Sequence, residues 1–278
     1  MRRYPFSQVD VFTDTPLKGN ALAVVHDADD LDTAQMQAFA HWTNLSETTF
    51  LLRPTDPAAD YRVRIFTPGR ELRFAGHPTL GSCHAWRQAG GQPRTAGEVV
   101  QECGVGLVRI RAKGNEAAFA APPMTPSAVE PGLLARVLAA LGVSAGHVVA
   151  AQWLDNGLPW LVLQLDSAER VLAVKPDGSA LAPLADVGLV GAHAPGSVAQ
   201  FEVRGFAPSA GVLEDPVTGS LNASVAQWLM GRGVAPAAYR AAQGACIGRA
   251  GRIMLERDGD TVWVGGPTVD CVRGDVVL

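Results

Sequence analysis

Two short segments of the sequence place an ionisable residue in nearly the same setting, about half a chain length apart. One is His77-Pro78-Thr79-Leu80-Gly81-Ser82 and the other is Asp215-Pro216-Val217-Thr218-Gly219-Ser220. In each, the ionisable residue precedes proline, and small residues then begin a helical pattern. This pattern predicts a helix N-terminus whose first backbone N–H groups have no partner within the helix. Two such helix ends facing one another would bind an anion.

The residues within these segments indicate which anion. We expect the backbone amides of residues 78–82 and 216–220 to bind a carboxylate, together with the hydroxyls of Thr79, Thr218 and Ser220. Such a site needs neither Lys nor Arg. The predicted ligand is therefore a small molecule that carries a carboxylate.

His77 and Asp215 occupy equivalent positions in the two segments, and each has a structural alternative to a catalytic role. Asp is a favoured helix N-cap, and a histidine here would also serve as a cap or as a buried imidazole. Either residue type could have capped both helices, so a different one in each copy favours function. We expect His77 and Asp215 to lie on opposite sides of one pocket as proton-transfer groups.

Glu47 is the third candidate for proton transfer. It lies between a helical pattern and a strand pattern, in the segment Asn44-Leu45-Ser46-Glu47-Thr48-Thr49-Phe50, which contains no Lys or Arg. The alternatives are a solvated glutamate in a turn and a catalytic base. In a crevice, partial burial would raise its pKa and suit it to carry a proton in either direction.

Periodicity predicts a chain of short strands with few helices. The predicted strands are Val9–Phe12, Ala21–Val25, Thr48–Leu52, Tyr61–Phe66 and Leu107–Arg111, and the predicted helices are Thr33–Thr43, Thr79–Gln88, Leu133–Leu141 and Thr218–Met230. The segment Gly265-Gly266-Pro267 reads as a turn. The first half is predicted to be mainly antiparallel β, and the helices that follow the two motifs are apolar on most sides, which indicates burial.

Further echoes support two homologous halves. Arg64-Ile65-Phe66-Thr67-Pro68 resembles Arg204-Gly205-Phe206-Ala207-Pro208, in the same order and at a similar offset as the two motifs. We predict an N-terminal half over residues 1–120 and a C-terminal half over residues 121–265. The Ala- and Pro-rich stretch Ala117–Glu130 is the predicted connection, because proline does not continue a ladder or a helix.

Composition excludes several classes of protein. Hydrophobic residues make up 47% of the chain and charged residues 18%, with a net charge of −4, which excludes disorder and gives no basic surface for nucleic acid or an anionic membrane.

The four cysteines lack metal-binding spacing, and no signal peptide follows Met1, so we expect a cytoplasmic protein without a metal. Cys103 precedes a strand pattern and is predicted to be structural. No nucleotide-binding glycine motif is present.

The segments that carry these features together resemble one known family. They are Gly19-Asn20, residues 44–50 with Glu47, Thr67-Pro68 through Glu71, Gly76-His77-Pro78-Thr79, residues 204–208, residues 214–220, and Gln243-Gly244 with Gly248-Arg249. In this order they resemble the PhzF-like isomerases of phenazine biosynthesis. The resemblance implies an α+β fold of the diaminopimelate-epimerase type, with two pseudo-symmetric domains, each a mainly antiparallel sheet around a central helix. It also implies that the C-terminal strand, about 266–278, returns to the first domain.

The resemblance also implies an activity and a site in the cleft between the domains. It implies a homodimer that needs no cofactor and moves a proton on a small carboxylate substrate, as in the isomerisation of a dihydro-hydroxyanthranilate to its ketone. The residue matching Glu47 would carry the proton. The remaining expected site residues are His77 and Asp215 for catalysis and Asn20, Ser46, Gly76, Thr79, Thr218, Gly219 and Ser220 for substrate binding.

Two other functions remain open at this point. One is epimerisation, racemisation or dehydration of an amino or hydroxy acid, with His77 and Asp215 as opposed acid and base. Racemases of this fold use a thiol or hydroxyl at each helix start, and the residues present here disfavour that chemistry. The other is a binding or adaptor protein without turnover, against which the retention of Glu47, His77 and Asp215 argues.

Overall fold

The computed structural model describes residues 2–208 and 211–278, which fold into two compact units. The first unit comprises Met1–Ala120 with Gly265–Leu278, and the second comprises Ala121–Val264. Both units are α+β, with strands that pair mainly antiparallel and with a longer helix packed on them. The predicted fold class is therefore confirmed.

The secondary structure consists of short strands and a smaller number of helices. The strands are β1 (Arg3–Val11), β2 (Asn20–Val25), β3 (Glu47–Leu52), β4 (Tyr61–Phe66), β5 (Glu71–Leu72), β6 (Glu98–Cys103), β7 (Gly106–Lys113), β8 (Glu116–Ala120), β9 (Thr125–Ser127), β10 (Val148–Asp155), β11 (Pro159–Leu165), β12 (Val187–Ala192), β13 (Phe201–Ala207), β14 (Val212–Asp215), β15 (Ala238–Gln243), β16 (Gly251–Asp258) and β17 (Thr261–Val277). The helices are α1 (Thr33–Thr43), α2 (Gly76–Gln88), α3 (Pro131–Leu141), α4 (Ala168–Ala173), α5 (Gly178–Leu181) and α6 (Gly219–Gly231).

In the first unit, α2 is the central helix. It packs against β1, β2, β3 and β8, and ten consecutive residues from its start are buried. Gly81 permits the close approach, because a Cβ at this position would lie 2.5 Å from Leu22 and 2.9 Å from Val11. Strand β2, which Gly81 contacts through Leu22, pairs parallel with β3, and Leu22 lies opposite Glu47. The first residues of β2 and β3 therefore lie at the same end of the sheet.

In the second unit, α6 has the corresponding place. It packs against β10 and β16, and Leu221 on its first turn contacts the backbone of β12 at Gly188, where a Cβ would lie 2.3 Å from the leucine. The strands β13 and β15 pair parallel, with Val203 opposite Gln243. Both α2 and α6 have 13 residues, and no helix in the described ranges is long and apolar enough to cross a bilayer.

The two motif helices begin at different points from those predicted. α2 begins at Gly76, three residues before the predicted Thr79, with extended Ala75 as N-cap. Pro78 is accepted in this first turn, because its missing N–H is one that the helix would leave without a partner. α6 begins at Gly219, and Thr218 is its N-cap rather than its first residue. In the first motif the ionisable residue is inside the helix, and in the second it precedes the helix.

Two predicted irregular segments are strands. The predicted connection Ala117–Glu130 includes the end of β8 and all of β9, and Pro126 pairs with Leu154 of β10. Proline interrupts a ladder only where its missing N–H is required, so a three-residue strand accepts it. The predicted turn Gly265-Gly266-Pro267 is part of β17, where a Cβ on Gly265 would lie 2.5 Å from the carbonyl oxygen of Ala117. The glycine serves close strand packing and not a turn.

Candidate active site

Glu47 is positioned by the junction between α1 and β3. The helix ends at Asn44, whose left-handed backbone (φ 55°) turns the chain, and its amide donates to the carbonyl oxygen of Ala40. β3 begins at Glu47 and continues into fully buried Thr48 and Thr49. The Glu47 side chain is 17% exposed. The carboxylate is therefore largely withdrawn from water at the first position of a buried strand.

His77 is a titratable neighbour of Glu47. Its Nε2 lies 3.5 Å from Oε2 of Glu47, and its Nδ1 lies 3.5 Å from Nδ2 of Asn20, the first residue of β2. Because an amide nitrogen only donates, Nδ1 is the accepting nitrogen and the ring proton is on Nε2, facing Glu47. Burial lowers the pKa of His77 to about 3, so the ring is neutral near pH 7.

These three side chains form an arrangement suited to proton transfer. A carboxylate that is mostly shielded from water and faces a neutral N–H donor can accept or release a proton without a cationic neighbour. The neutral imidazole does not supply an imidazolium acid. Asn20, Glu47 and His77, predicted from separate parts of the sequence, are thus brought together within the first unit.

The other predicted residues of the first unit differ from this group. Ser46 is half-buried directly before Glu47, and Gly76 is the buried first residue of α2. The Thr79 hydroxyl is fully buried and accepts a hydrogen bond from Nε2 of Gln101 at 3.1 Å. Oε1 of Gln101 in turn accepts from the Tyr61 hydroxyl at 2.9 Å. Thr79 therefore belongs to an internal network, and its substrate contact stays a prediction.

In the second unit, Asp215 ends β14 and lies three residues before the N-cap of α6. The Thr218 hydroxyl donates to Oδ2 of Asp215 at 2.6 Å, a length typical of a hydrogen bond to a charged carboxylate. Gly219 is the buried first residue of the helix, and Ser220 accepts from the indole of Trp160 at 3.2 Å. The structure brings Asp215 and Thr218 into direct contact, with Gly219 and Ser220 next in the chain.

The capping alternatives for the two ionisable residues do not hold. The N-cap of α2 is Ala75 and that of α6 is Thr218, so neither His77 nor Asp215 caps a helix. The predicted amide cradles are also partly occupied. The Thr79 amide donates to the carbonyl oxygen of Ala75 at 3.1 Å, and the Thr218 amide donates to Oε1 of Gln243 at 3.0 Å. These two amides already have acceptors within the protein.

Sequence reasoning missed two buried glutamines that contact the predicted site residues. Gln101 and Gln243 are 0% and 1% exposed, and each donates to a threonine of one motif. A signal for Gln101 exists in the sequence, because it is a polar residue at an inward-facing position of an otherwise alternating strand. Gln243 was noticed only as part of a family-like segment, and no role was predicted for it.

Two further features bear on what the protein can bind. Among residues 2–208 and 211–278, no three His, Cys, Asp or Glu side chains converge in a way that could hold a metal ion. A cavity of about 570 Å³ lies in the first unit at the C-terminal end of α2, the end opposite His77, and is lined in part by Phe6, His26, Tyr61 and Trp86. It is separate from the Glu47–His77 pair.

Comparison with known proteins decides the family. The sequence pattern of the phenazine biosynthesis-like proteins, PhzC-PhzF, matches residues 9–274. The chain belongs to this family. A trans-2,3-dihydro-3-hydroxyanthranilate isomerase of Pseudomonas fluorescens is 34% identical and is aligned over 97% of this chain and 98% of its own length. The resemblance noted in the sequence is confirmed, and the protein is an isomerase of the PhzF family.

Other relatives show how widely this family extends. Antisense-enhancing sequence 1 of Schizosaccharomyces pombe is 35% identical, with 99% of each chain covered. The crystal structure of a PhzF-family phenazine biosynthesis protein of Bacillus anthracis covers 100% of both chains with a TM-score of 0.88 at 21% identity. This structural likeness shows that the fold is shared. The names differ among the relatives, so the substrate has to be argued from the site.

Proposed function

We propose that this PhzF-family isomerase acts by acid–base catalysis, with Glu47 as the group that carries the proton. The proposed substrate is a small, conjugated, carboxylate-bearing ring of the dihydro-hydroxyanthranilate type, the class named for several relatives. The observation that carries the proposal is the 3.5 Å approach of the buried His77 Nε2 to the Glu47 carboxylate. No cofactor takes part in the proposed reaction.

The proposed reaction conserves all atoms and electrons. Glu47 removes a proton from the ring carbon that bears the hydroxyl, and the C–H electron pair moves into the conjugated double bonds. The proton is returned to another ring carbon, and the resulting enol becomes the ketone. Conjugation makes the first carbon acidic enough for a carboxylate base, so the reaction requires a positioned proton carrier and no electron sink from a cofactor.

His77 supports this assignment as a neutral neighbour of Glu47. With a pKa lowered to about 3, the imidazole is a weak base near neutral pH and carries no proton to donate as an imidazolium. With a neutral ring 3.5 Å from Oε2, the Glu47 carboxylate is the member of this pair suited to accept a proton. This arrangement favours Glu47 over His77 as the base, and so favours isomerisation over a two-base epimerisation by His77 and Asp215.

We further propose that Asp215 takes part as an acceptor for a donor group of the substrate. Its carboxylate is held by the short hydrogen bond from Thr218, and a carboxylate can accept several donors at once. An amino or hydroxyl group on the ring would supply such a donor. Replacement of Asp215 with Asn should therefore raise KM more than it lowers kcat.

The proton carrier is tested by Glu47→Gln, assayed with trans-2,3-dihydro-3-hydroxyanthranilate by the loss of diene absorbance. Removing a general acid–base group should lower kcat by about 10³-fold, because the amide cannot accept the proton. Ligand affinity, measured by calorimetry, should change little because the amide has nearly the same shape. Glu98→Gln is the matched control, since Glu98 pairs with Arg109 on the surface and its replacement should leave kcat unchanged.

The type of reaction is tested by turnover in deuterated water. Isomerisation places solvent deuterium on the ring carbon that receives the proton, whereas epimerisation places it on the inverted stereocentre. Full turnover by the Glu47→Gln variant would remove Glu47 from the mechanism. Label at an inverted stereocentre, with the carbon skeleton unchanged, would replace the proposed isomerisation with the epimerase alternative.

A further inference from the structure

Gln243 lies beneath the segment that carries Asp215. It ends β15, opposite Val203 of the parallel strand β13, and is 1% exposed. Gly244 follows with a left-handed backbone (φ 93°), and a Cβ there would lie 2.6 Å from the carbonyl oxygen of Pro216. The end of β15 is therefore in close contact with the backbone that leads from Asp215 into α6.

The Gln243 amide uses its complete hydrogen-bonding capacity on this segment. Its Oε1 accepts from the Thr218 amide at 3.0 Å and from Nδ2 of Asn222 at 2.8 Å. Its Nε2 donates to the Asp215 carbonyl oxygen at 3.1 Å and to the Thr218 hydroxyl at 2.9 Å. A primary amide has two donors and two acceptor positions, and all are satisfied here.

Two backbone groups fix which way the amide points. The Thr218 N–H can only donate and the Asp215 carbonyl can only accept, so Oε1 and Nε2 cannot exchange places. Nε2 must then donate to the Thr218 hydroxyl oxygen. The single hydroxyl proton of Thr218 cannot point back at this donor, and it points to Oδ2 of Asp215. These two backbone groups therefore set the donor direction of the whole series of hydrogen bonds that runs from Gln243 through Thr218 to Asp215.

We propose that Gln243 is a positioning residue that keeps Asp215 as an ionised acceptor in a fixed orientation. It acts through Thr218, whose hydroxyl it forces to donate, and through the backbone carbonyl of Asp215, which it holds directly. A carboxylate that receives such a donor is stabilised in its charged form, because a protonated oxygen would oppose the hydroxyl proton. The inference rests on the proposed function in treating Asp215 as a group that meets the substrate.

The direct test is Gln243→Glu, followed by ¹³C NMR titration of the Asp215 carboxyl carbon, assigned by its absence in Asp215→Asn. The introduced carboxylate has no N–H, so the Thr218 hydroxyl is released to point towards it and away from Asp215. The Asp215 titration midpoint should then move to higher pH by about one unit or more. Because the introduced negative charge would by itself raise this midpoint, the uncharged variant Gln243→Met is titrated beside it. It should raise the midpoint as well, which the loss of a residue with only a packing role would not do.

Gln227→Glu is the matched control within the second unit. The Gln227 amide also donates to two carbonyl oxygens, those of Pro122 at 3.0 Å and Ala223 at 3.3 Å, but has no part in the Asp215 chain. Replacing this amide with a carboxylate therefore removes two similar hydrogen bonds at a position that does not contact Asp215. The Asp215 midpoint in this variant should stay within about 0.3 unit of the parent protein.

A second pair of variants tests the same series of hydrogen bonds without changing Gln243. Thr218→Val removes the hydroxyl while keeping the branched shape, and should raise the Asp215 midpoint as Gln243→Glu does. Thr218→Ser keeps the hydroxyl and should restore the parent midpoint. If Gln243→Glu does not fold, as judged by circular dichroism, this pair decides the proposal on its own.

The proposal is overturned if the Asp215 midpoint is unchanged in folded Gln243→Glu, or in Thr218→Val where the first variant does not fold. This measurement needs no turnover. Failure of the parent protein to isomerise trans-2,3-dihydro-3-hydroxyanthranilate would count against the proposed function alone, whereas an unchanged titration in an active enzyme would count against the role of Gln243 alone.

Discussion

The segments around His77 and Asp215 hold their ionisable side chains by opposite means. His77 lies inside the first turn of α2, where burial lowers its pKa to about 3 and keeps the ring neutral. Asp215 precedes α6 and accepts a hydrogen bond of 2.6 Å from Thr218, which favours the charged form. Two similar motifs therefore hold a buried, neutral imidazole in one unit and a hydrogen-bonded carboxylate in the other.

The two units also differ in the last residue of the strands β6 and β15. In the second unit this position holds Gln243, opposite the residue before Arg204. In the first unit the corresponding position, one step beyond the pair Arg62–Glu102, holds Cys103, whose thiol lies 3.6 Å from the carbonyl oxygen of Gly106. The Gln243 amide makes four hydrogen bonds to residues 215–222, whereas the Cys103 thiol contacts the carbonyl oxygen of Gly106. The Asp215 segment is therefore held by a glutamine from this strand end, whereas burial lowers the pKa of His77.

A second feature that is repeated in the two halves, an arginine–glutamate ion pair, differs between them in burial rather than in chemistry. Arg64 binds both carboxylate oxygens of Glu71 and lies over the ring of Phe66. In the second unit, Arg204 binds Glu214 in the same two-bonded manner and lies over Phe206. Side-chain exposure is 24% and 39% for the first pair but 4% and 9% for the second. The same ion pair should therefore have very different energetic consequences in the two units.

The largest expected effect comes from breaking the buried pair. Arg204→Leu leaves Glu214, which directly precedes Asp215, as an uncompensated buried charge, and should lower the free energy of unfolding by about 3–5 kcal/mol. Arg64→Leu breaks the exposed counterpart, where water replaces the lost partner, and should cost about 1 kcal/mol or less. Urea denaturation followed by circular dichroism and tryptophan fluorescence measures both.

The double variant Arg204→Leu with Glu214→Leu is the control for this prediction. Because it removes both charges, it should recover part of the lost stability, although the carbonyl oxygens of Val171 and Val174 lose their Arg204 donors. Equal losses for Arg204→Leu and Arg64→Leu would show that burial does not distinguish the two pairs.

The next effect concerns the neutral imidazole of the first unit. In the unfolded chain, His77 takes up a proton below about pH 6.5, whereas the buried ring resists protonation down to about pH 3. Stability from this group is therefore complete above pH 6.5 and is lost as the pH falls. Between pH 6.5 and pH 4 the parent protein should lose about 3 kcal/mol more unfolding free energy than His77→Gln does.

Urea denaturation at pH 7, 5.5 and 4 measures this difference, with His41→Gln as the control. His41 is exposed on the last turn of α1, and its replacement controls for the removal of a histidine as such. If His77→Gln and the parent protein lose stability in parallel over this range, the buried ring is not held neutral. The contrast between His77 and Asp215 would then fail.

Much of the fold followed from local patterns in the sequence. α1 was predicted with both ends correct, because Asp32 caps its start and Asn44 ends it in a left-handed turn. The strand Tyr61–Phe66 was also predicted in full. Errors arose where a close tertiary contact overrides a local signal, as at Pro126 in β9 and at Gly265 in β17. Glycine and proline mark turns on average, and here they serve strand packing.

The candidate site was predictable in its residue types but not in its connections. Glu47, His77 and Asp215 were predicted from the residues that flank them in the sequence. The structure places Glu47 beside His77, and it places Asp215 in a hydrogen bond with Thr218. The sequence could not show that Gln243 supports Asp215, because the two are far apart in the chain and meet only through sheet register. The proposed duplication of the two halves and the homodimer remain predictions.

The smallest of the expected effects comes from the glycines that follow Gln243 and Cys103. Gly244→Ala places a Cβ 2.6 Å from the Pro216 carbonyl oxygen at a left-handed position (φ 93°), so strain and displacement of the Asp215 segment should cost about 2 kcal/mol. Gly104→Ala meets the Arg73 backbone at 2.8 Å without a left-handed backbone, and should cost about half as much. Thermal denaturation ranks the two variants, and the ¹³C titration of Asp215 should respond only to Gly244→Ala. A larger loss at Gly104 would mean that the first unit depends on its strand end as strongly as the second.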